Sequence, residues 1–181
     1  MSTDDANQFL QEIQAMTAAK QTEHNTRTQE GQEEYRQWAT FSVAEELYGI
    51  DVMQVKEVLR YTDITPVPGA PKGIMGIINL RGNVVSVIST RSIFNLADSE
   101  IDNNTRIVVV EFDHQELLGL LVDGVDEVLN LPQSEIDRAP GVGRDDATRQ
   151  FVQGVCYREE QLIILMDLDK MLTEFKLPAT A

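Results

Sequence analysis

The chain has 181 residues, 42% of them hydrophobic and 25% charged, which suits one ordinary globular domain or two very small ones. Its formal net charge of −15 disfavours nucleic acid and anionic membrane surfaces as partners. No apolar run approaches the roughly 20 residues of a membrane helix. The N-terminal MSTDDANQF lacks a secretory pattern, and the single cysteine, Cys156, has no partner for an internal disulfide. These features together predict a cytoplasmic protein.

Residues 1–36 are rich in Gln, Thr, Glu and Asn and poor in large apolar groups. Phe9, Leu10, Ile13 and Met16 fall at helical spacing after Ser2, Thr3 and Asp4, so a short helix is expected there. The rest of this stretch reads as a flexible acidic and polar tail that buries too little to offset its ordering entropy. Its removal is expected to leave stability nearly unchanged.

From Trp38 onward, short Val- and Ile-rich segments recur between Gly, Pro, Asn and charged turns. WATFSVA, LYGIDV, GIMGIINL and VVSVI come first, and RIVVVEF, LLGLLV, FVQGVCY and LIILM follow. Such runs read as strands. Gly82-Asn83 is a hairpin signal because these turns take positive φ. Ala44-Glu45-Glu46 and Asp113-His114-Gln115 mark two further hairpins. SISTRSIFNL and LDLDKMLTEF are the short helical candidates.

An internal repeat organises these segments. GIDVMQVKEVL, from Gly49 to Leu59, matches GLLVDGVDEVL, from Gly119 to Leu129. Ile64, Pro68 and Gly69 then correspond to Ile136, Pro140 and Gly141, Gly76-Ile77 to Gly154-Val155, and VVSVI to LIILM. The halves run from about residue 38 to 96 and from about 106 to 175, with ADSEIDNNT as connector. The expected fold class is mainly β, with two tandem five-stranded barrels related by a pseudo-two-fold axis. Units of this size are marginal alone and gain by packing together. Val52, Val58, Ile77, Val87, Val122, Val128, Val155 and Leu165 are expected in the core.

The sequence has no phosphate loop, dinucleotide fingerprint, nucleophile elbow or zinc-binding H-E-x-x-H, so neither a catalytic group nor a cofactor is expected. His24 and His114 have no second His or Cys at ligand spacing, so no metal site is expected either. Cys156 lies inside FVQGVCY and reads as a core residue. Asp98, Glu100 and Asp102 resemble part of a calcium loop without its glycine and terminal glutamate, and read as a solvated linker. Glu57 and Glu127 recur at one place inside apolar segments, so each is expected to have a defined partner. Arg81 is the nearest distinctive cation to Glu57, and a Glu57–Arg81 ion pair is expected.

YGIDVMQVKEVLR, ITPVPGAPKGIMGIINLRG and GLLVDGVDEVL resemble the signature segments of the CheW coupling family, over residues 37–177. The resemblance implies two five-stranded Src-homology-3-like barrels around a shared apolar core. It implies a non-enzymatic cytoplasmic adaptor, monomeric alone, between the regulatory domain of the histidine kinase CheA and the cytoplasmic tip of methyl-accepting chemoreceptors. Val52, Val55 and Gly76 match positions implicated in kinase binding. Ile107, Gly119, Val125 and Val128 match positions implicated in receptor binding, and Glu57 with Arg81 matches a charge pair linked to coupling. Ser86, Ser89 and Thr90 depart from the family pattern, which usually has a proline and an Asp-Leu pair there. The same scaffold could serve a signalling array outside chemotaxis. A generic peptide-binding barrel would need an aromatic-lined groove, and aromatics are only 6% of the chain.

Overall fold

The computed structural model describes residues 11–13, 15, 33–113, 115–138 and 149–173. Among these residues the β-branched segments form ten strands. The first half supplies β1 (Tyr35–Val43), β2 (Glu46–Asp51), β3 (Val55–Arg60), β4 (Ile74–Leu80) and β5 (Asn83–Ser89). The second half supplies β6 (Arg106–Phe112), β7 (Glu116–Val122), β8 (Gly124–Pro132), β9 (Val152–Arg158) and β10 (Gln161–Met166). Two short helices, α1 (Thr90–Ile93) and α2 (Leu168–Thr173), follow β5 and β10. The expected mainly β class with two five-stranded units is the one observed.

The sheets do not coincide with the halves of the repeat. One sheet has the order β8-β1-β2-β10-β9 and the other β3-β6-β7-β5-β4. Replacing every strand of the first order by its counterpart five places along the chain gives the second order, as a pseudo-two-fold requires. Each sheet therefore takes a hairpin from one half and three strands from the other. This corrects the expected barrel boundaries at 38–96 and 106–175. The halves meet through parallel pairings of β2 with β10 and β7 with β5, and antiparallel pairings of β1 with β8 and β6 with β3. Bulges break the last two ladders at equivalent points, beside Glu127 and beside Glu57.

The exchange explains the near-continuous apolar runs. Alternate residues of a strand face opposite ways, and here both faces are buried. On β6, Val108 and Val110 join the large core shared by the two sheets, while Ile107 and Val109 fill the inside of their own sheet. On β10, Ile164 and Met166 face the shared core, and Ile163 and Leu165 pack with Trp38, Leu129 and Cys156. Of the eight expected core residues, six are buried, and Ile77 and Val128 are half-buried. Those two lie on β4 and β8, each at one end of its sheet's strand order. Cys156 is buried, and burial pushes its thiol pKa up, as fits a core thiol.

The turns follow their chemistry. Arg81 and Gly82 both take positive φ between the paired residues Leu80 and Asn83, and Asn79 Oδ1 accepts a hydrogen bond from the Gly82 N–H. The turn is thus Arg81-Gly82, one residue before the Gly82-Asn83 signal. The β1–β2 turn follows Val43, with Ala44 at positive φ. Of the third expected hairpin, His114 lies outside the described residues.

The reading of residues 1–36 as an independent tail needs correction at one point. Residues 11–13 and 15 are helical, as the spacing predicts, and Ile13 is only 6% exposed and joins the shared core. The spacing of Phe9, Leu10, Ile13 and Met16 marks a helix without showing what it packs against, yet the burial of Ile13 contributes stability. Ile13→Asp is therefore expected to lower unfolding free energy by about 2 kcal/mol, read from urea denaturation. An unchanged midpoint would return this segment to an independent tail.

Candidate functional site

The carried-over positions divide sharply by burial. Val52, Val55, Ile107 and Val125 are at most 8% exposed, and Gly76 and Gly119 are buried. Only Val128 among them is half-buried. A Cβ added at Gly119 would stand 2.8 Å from Cγ2 of Ile107, so these two residues hold β6 and β7 close together. At Gly76 a Cβ would stand 2.1 Å from the Thr65 carbonyl oxygen, and its φ of +151° already disfavours any side chain. The glycine lets the segment before β4 bond back onto it through Thr65 and Ile77. Met53, next to buried Val52, is 51% exposed.

The Glu57–Arg81 pair is present. Arg81 Nη2 lies 3.0 Å from Glu57 Oε1, with the arginine side chain 79% exposed and the glutamate 18% exposed. Its setting follows from the fold, because β3 carries Glu57 at the bulge and the β4–β5 turn carries Arg81. The equivalent turn of the second half holds Glu159 and Glu160, both at positive φ. Glu127 and Glu159 would repel where Glu57 and Arg81 attract. The second half instead fills its bulge with Thr40, whose Oγ1 donates to the Glu127 carbonyl and accepts from the Glu127 N–H. The ion pair thus marks one half only.

Ser89 and Thr90 depart from the family pattern without loss of local structure. Ser89 Oγ accepts from the Ser92 N–H and caps α1, as the Asp167 carboxylate accepts from the Lys170 N–H at α2. Serine and aspartate are both good caps. Thr90 is fully buried and donates to the Leu121 carbonyl, tying α1 to β7.

A second ion pair escaped the sequence reading. Arg91 on α1 meets Asp123 in a fork, Nε to Oδ1 at 3.0 Å and Nη2 to Oδ2 at 2.6 Å. The Ala44 N–H also donates to Asp123 Oδ2 at 2.6 Å, and Arg91 Nη1 donates to the Ala97 carbonyl. This node joins α1, the β7–β8 junction and the β1–β2 turn, three places where the halves cross. The hydrogen bond to Asp123 raises the Arg91 pKa despite partial burial. Burial would raise the Asp123 carboxyl, but the Arg91 and Ala44 hydrogen bonds and the Arg91 charge outweigh it and hold it low. The repeat hides the pair, because the counterparts of Arg91 and Asp123 are Asp169 and Met53. Asp169 keeps a weaker version of the link, accepting from Gln54 Nε2 at 3.2 Å.

A carboxyl with a lowered folded pKa stabilises above its unfolded pKa and loses that contribution as pH falls through the folded value. Asp123→Asn should therefore cost about 2 kcal/mol at pH 7. The gap to the unaltered protein should close progressively as pH falls below the ordinary carboxyl value of about 4. Urea unfolding across this range measures it, and a gap independent of pH would refute the assignment.

The description "CheW-like domain" fits residues 37–176. Chemotaxis protein CheW of Klebsiella aerogenes is 34% identical over 138 residues, 76% of this chain and 82% of that protein. The Bacillus subtilis chemotaxis protein CheW is 36% identical over 133 residues, 73% of this chain and 83% of that protein. The crystal structure of the scaffolding protein TtCheW from Thermoanaerobacter tengcongensis superposes with a TM-score of 0.69 at 33% identity, covering 81% of this chain and 94% of that one. With its exchanged five-stranded sheets and these matches across most of its length, the chain belongs to the CheW family.

Proposed function

We propose that the protein is a non-enzymatic scaffold coupling chemoreceptors to the histidine kinase CheA in a chemotaxis signalling array at the cytoplasmic face of the membrane. The observation that carries this reading is family membership across residues 37–176. Relatives named as chemotaxis proteins and a solved relative described as a scaffold support it. The kinase surface is formed around β3 and the β4–β5 turn. Val52, Val55 and Gly76 shape it from beneath, and exposed Met53 with the Glu57–Arg81 pair supplies its contacts. The receptor surface takes in half-buried Val128 and buried Val125 on β8, together with Ile107 and Gly119, buried on β6 and β7 of the other sheet. Heterologous contacts of this kind close into rings when the rotation between neighbours permits.

Purified protein mixed with receptor cytoplasmic fragment and kinase should co-sediment with each. Arg81→Glu should lower kinase recovery about threefold, the scale of an exposed ion pair. Adding Glu57→Arg should restore part of the loss. A folded protein that binds neither partner contradicts the function, whereas Arg81→Glu without effect contradicts only the assigned surface. Gly76→Asp is a poor probe, because the substituted side chain would collide with the Thr65 backbone.

A further inference from the structure

Charge is distributed unevenly between two cavities that the pseudo-two-fold makes equivalent. The first, about 350 Å³, is bordered by Ile74, Met75, Ser92 and Thr105. The second, about 380 Å³, is bordered by Val152, Gln153, Lys170 and Arg36, the residues at the matching positions of the repeat. The first also has Asp98, Glu100 and Asp123 on its wall, and its one arginine, Arg91, is held by Asp123. The second has Arg36, Arg138 and Lys170 instead. Where one half carries Thr105 and Ser92, the other carries two cations.

Three cations around one cavity are unusual in a chain with 15 Lys and Arg against 30 Asp and Glu. Cations in so acidic a protein find carboxylates easily, as Lys56, Arg81 and Arg91 do. Arg36 and Arg138 have no carboxylate at ion-pair distance among the described residues. Arg138 donates to Gln133 Oε1 at 3.4 Å, and Lys170 Nζ stands 4.0 Å from Asp167, the outer limit of an ion pair. Trp38, 1% exposed, also lines the cavity, and its Nε1–H has no hydrogen-bond acceptor among the described residues.

We propose that this cavity, between β1, β9, α2 and the segment after β8, is a binding site for a small oxyanion, a phosphate or carboxylate group. Arg36 and Arg138 offer forked donors suited to a planar or tetrahedral oxyanion, and Lys170 adds a point charge. Trp38 and Ile136 give the wall an apolar part, so the anion can be the head of a larger molecule. The acid-lined twin repels the same ligand.

Trp38 is the only tryptophan, so its fluorescence reports the site directly. The full-length protein is titrated with inorganic phosphate and, separately, with succinate, against sodium chloride at matched ionic strength, by fluorescence and by calorimetry. Saturable binding is expected. Arg36→Gln and Arg138→Gln should each weaken it about tenfold or more, with circular dichroism unchanged. Arg158→Gln, at an exposed position of β9, should leave it as it was. Saturation by phosphate assigns a phosphoryl group, and saturation by succinate alone a carboxylate. No saturable signal by either method, an effect that sodium chloride reproduces, or binding retained in both arginine variants overturns the proposal.

Discussion

The parallel pairing of β2 with β10 and of β7 with β5 is the constraint on which the rest of the structure depends. Each half contributes a hairpin that cannot complete a sheet alone. A separate unit of 60 to 70 residues would leave too much apolar surface wet, and exchange removes that surface by giving both sheets one core. Phe41, Ile50, Val110 and Leu120 are buried in it together with Ile164 and Met166, residues from both halves of the repeat. The chain is therefore one mechanical body built from two copies of one unit.

That single body bears on how an adaptor can act. On the proposed assignment its surfaces hold two partners at a fixed spacing, and the residues that fix the surfaces are largely not those that touch the partners. Val55, Gly76, Ile107 and Gly119 are all buried on strands of one sheet, β3-β6-β7-β5-β4. On that assignment a substitution at any of them changes binding through shape. The Glu57–Arg81 pair is different, being exposed and present in one half only. Duplication gives two equivalent surfaces, and changes in charge make them distinguishable: Arg81 against Glu159 at one turn, and Thr105 against Arg36 at one cavity.

Much of the fold was legible because the repeat preserves the order of strands, turns and caps. Periodic β-branched runs located the strands, and the Gly82 turn located a hairpin within one residue. The exchange was not legible, because alternation specifies which face of a strand is buried and says nothing about which strand lies beside it. The doubly apolar runs RIVVV and LIILM were the available hint, since only strands covered on both faces tolerate them. The Glu57–Arg81 pair was read from recurrence of the glutamate. Arg91–Asp123 was missed because neither partner recurs, and the burial of Ile13 because the helical spacing of Phe9, Leu10, Ile13 and Met16 marks a helix without specifying what it packs against. The cationic cavity was invisible because Arg36, Arg138 and Lys170 are brought together only by the exchanged strands.

Strand exchange is tested most directly by dividing the chain in the connector and producing residues 1–97 and 98–181 separately. Far-ultraviolet circular dichroism should show each fragment largely unfolded alone, with the β signal and a single cooperative thermal transition returning when the two are mixed in equal amounts. A fragment that folds alone with its own cooperative transition would contradict the account.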